Sequence, residues 1–166
     1  MFLITRPAGK ADHLLEALDD SGVPYLYQPV ITTQMVQLKA KDLRLLKQAD
    51  LLVFVSLSAV HALEQQLDPS ELSAPLLAVG ETTAAALTRW TGRSVLVPQD
   101  QRSEGLLGLP ELQDVAGLQV VVVRGNAGRE LIKQSLSQRG ALVRYVQSYS
   151  RIPLPLDGAT LCQQWQ

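Results

Sequence analysis

Apolar residues recur along this chain in two alternating rhythms. Phe2-Leu3-Ile4 is a short apolar run ending at Thr5-Arg6-Pro7; Ala11, Leu14, Leu15 and Leu18 then fall at helical spacing before Gly22. Val23 to Gln28 predicts a second strand, with Pro24 near its start. Pro29 to Val36 is β-branched and without helical period, the mark of an extended crossing segment. From Lys41 to Tyr149 the rhythm becomes regular. Strands are predicted at 51–55, 76–79, 94–97, 119–123 and 142–146. Helices are predicted around Leu43 and Leu46, from Val60 to Leu67, from Ala84 to Trp90, near Ser103, and from Leu131 to Arg139.

Runs such as Leu51-Leu52-Val53-Phe54-Val55 and Val120-Val121-Val122-Val123 show no polar alternation, as strands do when a parallel sheet is covered on both faces. The expected class is α/β. With right-handed crossovers as the rule, we expect two flavodoxin-like parallel-sheet domains joined by two crossing linkers. Residues 37–149 are expected to form one complete domain. Residues 1–33 and 150–166 are expected to form the other, discontinuous and incomplete in this chain, because a two-stranded start is too small to stand alone. Ser150 to Leu156, rich in proline, is expected to be the extended return linker.

Three strands end in polar turns that open helices: Ser56-Leu57-Ser58, Gly80-Glu81-Thr82-Thr83, and Arg124-Gly125-Asn126-Ala127-Gly128-Arg129-Glu130. Ligands of open α/β sheets sit beyond the carboxyl ends of the strands, where helix N-termini offer unpaired N–H groups to anions. A partner with several negative groups is expected. The third turn lacks both the Lys-Ser/Thr ending of a P-loop and GxGxxG spacing, which argues against a nucleotide. Each polar residue also has a purely structural use. Ser56, Ser58, Thr83 and Ser103 suit helix capping, Gly80 suits close packing, and Arg129 suits an exposed pair with Glu130. Arg6 suits an interdomain salt bridge, and Tyr149 suits packing at a hinge.

Charge and chemistry narrow the partner further. The net charge of −1 gives no basic surplus for nucleic acid. His13 and His61 are isolated and Cys162 is the one cysteine, so neither a metal site nor an internal disulfide is expected. The N-terminal apolar run is too short for a signal peptide and no stretch approaches a membrane span. A soluble, cytoplasmic protein is expected. A receiver-type signalling domain would want an aspartate at a strand end, and here the strand at 51–55 runs from Asp50 into Ser56.

Six motifs occur in order: Thr5-Arg6-Pro7; Phe54-Val55-Ser56; Ala78-Val79-Gly80-Glu81-Thr82-Thr83-Ala84; Ser103-Glu104-Gly105-Leu106-Leu107; Arg124 to Glu130; and Arg139-Gly140-Ala141 leading through Val143 to Tyr149 and Arg151. Their order and spacing resemble the uroporphyrinogen-III synthase family, from Phe2 to about Pro155. Ser58 stands where that family usually carries asparagine, and family members continue beyond residue 166 to complete the first domain.

The resemblance implies a lyase of tetrapyrrole biosynthesis that closes hydroxymethylbilane in a cleft between two domains, inverting the last pyrrole ring and losing water. Tyr149 matches the family's tyrosine at the domain crossing, where a phenol assists departure of the substrate hydroxyl. Arg6, Ser56, Ser58, Gly80, Thr83, Ser103, Arg124, Gly125 and Asn126 are the positions expected to bind the substrate. No metal or organic cofactor, no nucleic acid and no membrane is implied, and the complete protein is expected to be a monomer. A non-catalytic α/β module that binds an anionic small molecule is the rival reading.

Overall fold

A computed structural model of the chain describes residues 1–128, 130–156 and 158–165. Two compact units are present, Met1–Gln34 with Arg151–Gln166 and Met35–Ser150. In the first, β1 (Phe2–Ile4) pairs in parallel with β2 (Tyr25–Tyr27), and α1 (Asp12–Asp20) joins them. Gly22 turns the chain out of α1 at φ 62°, a left-handed conformation in which any Cβ would be strained. This unit buries little: α1 has no fully buried residue, and Phe2, Leu3 and Leu14 are exposed. The short α7 (Gly158–Gln164) also belongs to it.

The larger sheet belongs mostly to the second unit, while residues 31–34 and 151–153 of its strands count with the first. The strands of this sheet are β3 (Ile31–Met35), β4 (Leu51–Phe54), β5 (Leu76–Ala78), β6 (Val95–Leu96), β7 (Gln119–Gly125) and β8 (Leu142–Pro153), in the order β3-β8-β7-β4-β5-β6. The pairs β4–β5, β4–β7, β5–β6 and β7–β8 are all parallel. The edge strand β3 runs the other way: Val36 N–H donates to Ser148 C=O, while Leu154 N–H donates to Val30 C=O. Helices α2 (Ala40–Lys47), α3 (Leu57–Glu64), α4 (Glu81–Thr91), α5 (Ser103–Leu107) and α6 (Leu131–Gln138) supply the cover.

Period-two alternation divides the core between the sheet's two faces. Leu52, Phe54, Leu76, Ala78, Val121 and Val123 pack with Val60 and Leu63 of α3 and Leu87 of α4. Leu51, Val53, Leu77, Val120 and Val122 pack with Leu106 of α5 and Ile132 and Leu136 of α6. Phe54, Leu52, Leu63 and Leu87 are wholly buried, each contributing about 1.5–3 kcal/mol of burial free energy. The helix ends obey local rules. Gly92 at φ 68° closes α4, and Gly140 at φ 87° follows α6.

The α/β class stands, and two details differ from expectation. Counted from β4, the parallel strands lie 3-2-1-4-5 rather than in the flavodoxin-like order 2-1-3-4-5. Apolar runs mark which segments are strands, but right-handed crossovers satisfy either order, so the pattern alone leaves it open. The last strand also does not stop at Val146. It continues to Pro153, through the stretch expected to be a bare linker, because β3 supplies it with a hydrogen-bonding neighbour. Among the described residues no helix is long and apolar enough to cross a membrane.

Candidate functional site

The strand order places a topological switch point between β4 and β7. From β4 the chain steps outward through β5 to β6, then returns to β7 on the opposite side. In open α/β sheets the loops beyond such strands diverge and leave a crevice at the carboxyl ends. Ser56 and Gly125 stand at this place.

Ser56 is the N-cap of α3. In extended conformation, it accepts a hydrogen bond at Oγ from the Ala59 N–H at 3.3 Å, so one orphan donor of the first turn is satisfied. Its Oγ also lies 2.9 Å from the hydroxyl oxygen of Tyr149, a residue 93 positions away in sequence. Ser56 is half-buried; Tyr149 is 3% exposed and packs into the core beside α3.

Tyr149 reaches Ser56 because β8 slips by one residue. Arg124 pairs with Gln147, and Gly125 pairs with Tyr149, leaving Ser148 as the extra residue of a bulge. Without that insertion strict alternation would put Tyr149 on the same face as Val143 and Tyr145, away from α3. The bulge turns it onto the face of Val146. Gly125 makes room. A Cβ there would meet ring atoms Cε2 and Cζ of Tyr149 at 2.6 and 2.7 Å, so glycine is required by close approach. Ser148 is fully buried, and its Oγ has no hydrogen-bond partner.

The turn after β7 is organised differently. Arg124 is 7% exposed and donates from Nη1 to Glu130 Oε1 at 2.9 Å. Its guanidinium lies 4.5 Å from the centre of the Tyr145 ring, and the Tyr145 hydroxyl donates to Glu130 Oε2 at 3.0 Å. Lys133 Nζ stands 5.1 Å from the same ring. Hydrogen bonds from Arg124 and then Tyr145 hold the Glu130 carboxyl below its ordinary pKa. Burial first, then the bond to Glu130, pushes the Tyr145 phenol above its own. Arg124 was expected to offer charge to a ligand; its guanidinium is engaged by Glu130 and Tyr145, beneath Gly128. The turn opens a helix where the sequence placed it, with Glu130 at the N-cap position of α6, which begins at Leu131.

Gly80 caps α4, yet the anion position at that N-terminus holds a side chain. Gln101 Oε1 accepts from the Glu81 N–H at 3.0 Å and sits 2.9 Å from where a Gly80 Cβ would be. Thr83 is buried in the first turn, its N–H bonded to Gly80 C=O. Ser103 is the first residue of α5 and not its cap; Arg102 holds that position without a side-chain bond. A bidentate pair with Asp100, at 2.7 and 2.8 Å, occupies the Arg102 guanidinium instead. Ser58 lies half-exposed in the first turn of α3, and Asn126 is exposed just past β7. Arg6, in the smaller unit, is exposed after β1. Arg129 lies outside the described residues.

Ser56, Gly125 and Tyr149 are thus brought together, with Arg124 on the opposite face of β7. Gln101 and Tyr145 were not foreseen as parts of these turns, and Glu130 was placed in its turn but not foreseen as the partner of Arg124. Glu130 and Tyr145 carried a signal in their types, a carboxylate and a phenol near an arginine, but nothing in the spacing said that β8 would bring Tyr145 alongside. Among the described residues no group of three or more His, Cys, Asp or Glu stands close enough to hold a metal ion.

A family model described as uroporphyrinogen-III synthase HemD matches residues 12–166. The chain is 39% identical to a uroporphyrinogen-III synthase of Escherichia coli strain K12, over 99% of this chain and 70% of that protein. It is 30% identical to one from Proteus mirabilis, over 99% of this chain and 86% of the relative. In structure it is similar to a mutant uroporphyrinogen III synthase of the extremely thermophilic bacterium Thermus thermophilus, with TM-score 0.72 and 24% identity. That likeness covers 93% of this chain and 64% of the Thermus chain, so this chain spans somewhat less than two thirds of it.

Proposed function

The chain belongs to the uroporphyrinogen-III synthase family, and we propose that the protein has that family's activity. The substrate on this reading is hydroxymethylbilane, a flexible linear tetrapyrrole with acetate and propionate side chains. The electron-rich pyrrole expels the terminal hydroxyl, and the protein's task is to fold the chain so that bond formation inverts the last ring. That is catalysis by positioning, in which oriented binding removes the entropic part of the barrier.

The groups beyond the strands suit this task because they are mainly neutral donors. Hydroxyls of Ser56 and Ser58 and the exposed turn at Asn126 offer hydrogen bonds to carboxylates or to the leaving oxygen. Gly80 and Thr83 shape the start of α4, where Gln101 would have to move before an anion could bind. Arg124 holds the β7 turn in place through Glu130. Arg6 and Ser103 keep their assignment to substrate carboxylates as part of this proposal. The observation that carries the reading is the meeting of Ser56 and Tyr149 at 2.9 Å beside the switch point.

The reading includes a monomer, because every group assigned to the site comes from one chain; sedimentation velocity tests this. An exposed, unpaired Cys162 suits a reducing, cytoplasmic setting. The activity itself is tested by turnover of freshly generated hydroxymethylbilane with the protein at its natural length. Formation of the type III ring supports the proposal. If only the spontaneous type I ring appears, the activity is absent, and binding of an anionic small molecule without chemistry becomes the better account.

A further inference from the structure

The pair formed by Ser56 and Tyr149 has a polarity that can be worked out from burial. Two hydroxyls 2.9 Å apart share one proton along their line. If Ser56 donates, the phenol's own proton must point elsewhere. Tyr149 is 3% exposed, and Ser56 is its one hydrogen-bond partner among the described residues. A buried donor would then be unsatisfied, which is the expensive arrangement. If Tyr149 donates, its proton is satisfied. Ser56 Oγ then accepts twice, from Tyr149 and from the Ala59 N–H, and its own proton is forced outward. Ser56 is half-buried, so that proton has somewhere to go.

We propose that Ser56 is the hydroxyl that meets the ligand, and that Tyr149 is a positioning residue that orients the Ser56 proton from behind. This rests on the activity proposed above. Three features of the fold serve it. The bulge at Ser148 brings Tyr149 to the α3 face, Gly125 admits its ring, and the first turn of α3 fixes the serine oxygen. An oriented hydrogen-bond donor of this kind needs no rearrangement when negative charge grows on a departing oxygen. The carbon–oxygen electron pair moves to that oxygen, and the pyrrole nitrogen's electrons form the exocyclic carbon–carbon double bond. The hydroxide leaves as water with the proton that ring closure releases. The ligand group addressed is therefore the terminal hydroxyl.

Two measurements test the polarity and the role separately. The tyrosine Fermi doublet in ultraviolet resonance Raman distinguishes a donating phenol from an accepting one, and subtracting the Tyr149→Phe spectrum isolates Tyr149. A donating phenol is expected; an accepting one overturns the inference whether or not the protein is active. In turnover, Ser56→Gly removes the hydroxyl while glycine still serves as an N-cap. It should lower kcat by about a hundredfold, the lower end for a positioned proton donor, with KM little changed. Ser56→Thr should restore most of the rate. Tyr149→Phe should lose less than Ser56→Gly, and the double variant should be no slower than Ser56→Gly alone. A Tyr149→Phe loss equal to or larger than that of Ser56→Gly, or additive losses, would place the phenol itself on the ligand and sink the proposal. If the unaltered protein makes no type III ring, the proposed activity fails, and the spectrum alone decides the polarity.

Discussion

The turns after β4 and β7 flank one switch point and meet it with opposite chemistry. The β7 turn carries the charge, but its arginine is buried against Glu130 and Tyr145. The β4 turn carries none, yet it holds a half-buried hydroxyl fixed from two sides. Counting charged residues therefore does not show which turn has a group left to offer. What a site can offer a ligand is what remains after its own neighbours have been satisfied, and on the inference above that remainder lies with Ser56.

The comparison breaks most directly at Gly125. Gly125→Ala would place a Cβ 2.6 Å from the Tyr149 ring, whose position is fixed by the surrounding core. Overpacking of this kind destabilises by about 1–3 kcal/mol. The ring should also lose its bond to Ser56, so the β4 turn fails through a change made in the β7 strand. Urea denaturation reads the first effect and the Raman signature of Tyr149 the second. A variant that keeps both would show that the ring does not lie over Gly125.

The next effect separates capping from ligand chemistry at Ser56. Ser56→Ala removes the cap of α3 and should lower stability by about 0.5–2 kcal/mol, whereas Ser56→Gly should lose only a few tenths. If the two variants are equally stable, the Ala59 N–H is not held by the serine. A smaller change is expected at Gln101. Replacing it with alanine frees the Glu81 N–H, with a loss of about 0.5–1.5 kcal/mol for one exposed-side hydrogen bond at most. Inorganic phosphate should then bind the opened α4 N-terminus more tightly in titration calorimetry. No gain in binding would mean that Gln101 was not occupying an anion position.

How far these features were legible varies with their range. Continuous runs such as Val120 to Val123 identified buried strands, and Gly22, Gly92 and Gly140 marked helix ends because local conformation demanded them. The order of the strands was hidden, since it depends on which side of β4 the chain chooses on its return. Ser56 and Tyr149 were both singled out by type and motif, but their contact was not. It depends on a one-residue slip at Ser148, and no local pattern in Val143 to Ser150 announces a bulge. Ser103 misled because a serine before an apolar pair resembles a cap, while the helix starts one residue earlier than that reading needs.

The least disruptive test bears on the β7 turn, where Glu130→Gln keeps the shape and removes the charge. Glu130 titrates below an ordinary carboxyl, mainly through the Arg124 hydrogen bond. A depressed folded pKa adds stability that is present above the unfolded carboxyl pKa and is lost as pH falls through the folded value. Tyr145 is shifted the other way, raised by burial and then by Glu130. Its share is present below the ordinary phenol pKa and is lost as pH rises through the raised one. The cluster should therefore be firmest near neutrality and loosen at both extremes. Glu130→Gln should shallow the acid limb without abolishing it, because Asp68 and Asp100 are also depressed, by Ser70 and Arg102 respectively. The same change should lower the Tyr145 titration, read as phenolate absorbance against a Tyr145→Phe control. Turnover at neutral pH should fall far less than in Ser56→Gly, since Arg124 is a brace on this account. A collapse of turnover in a stably folded Glu130→Gln variant would return the charged turn to the ligand and reverse the comparison.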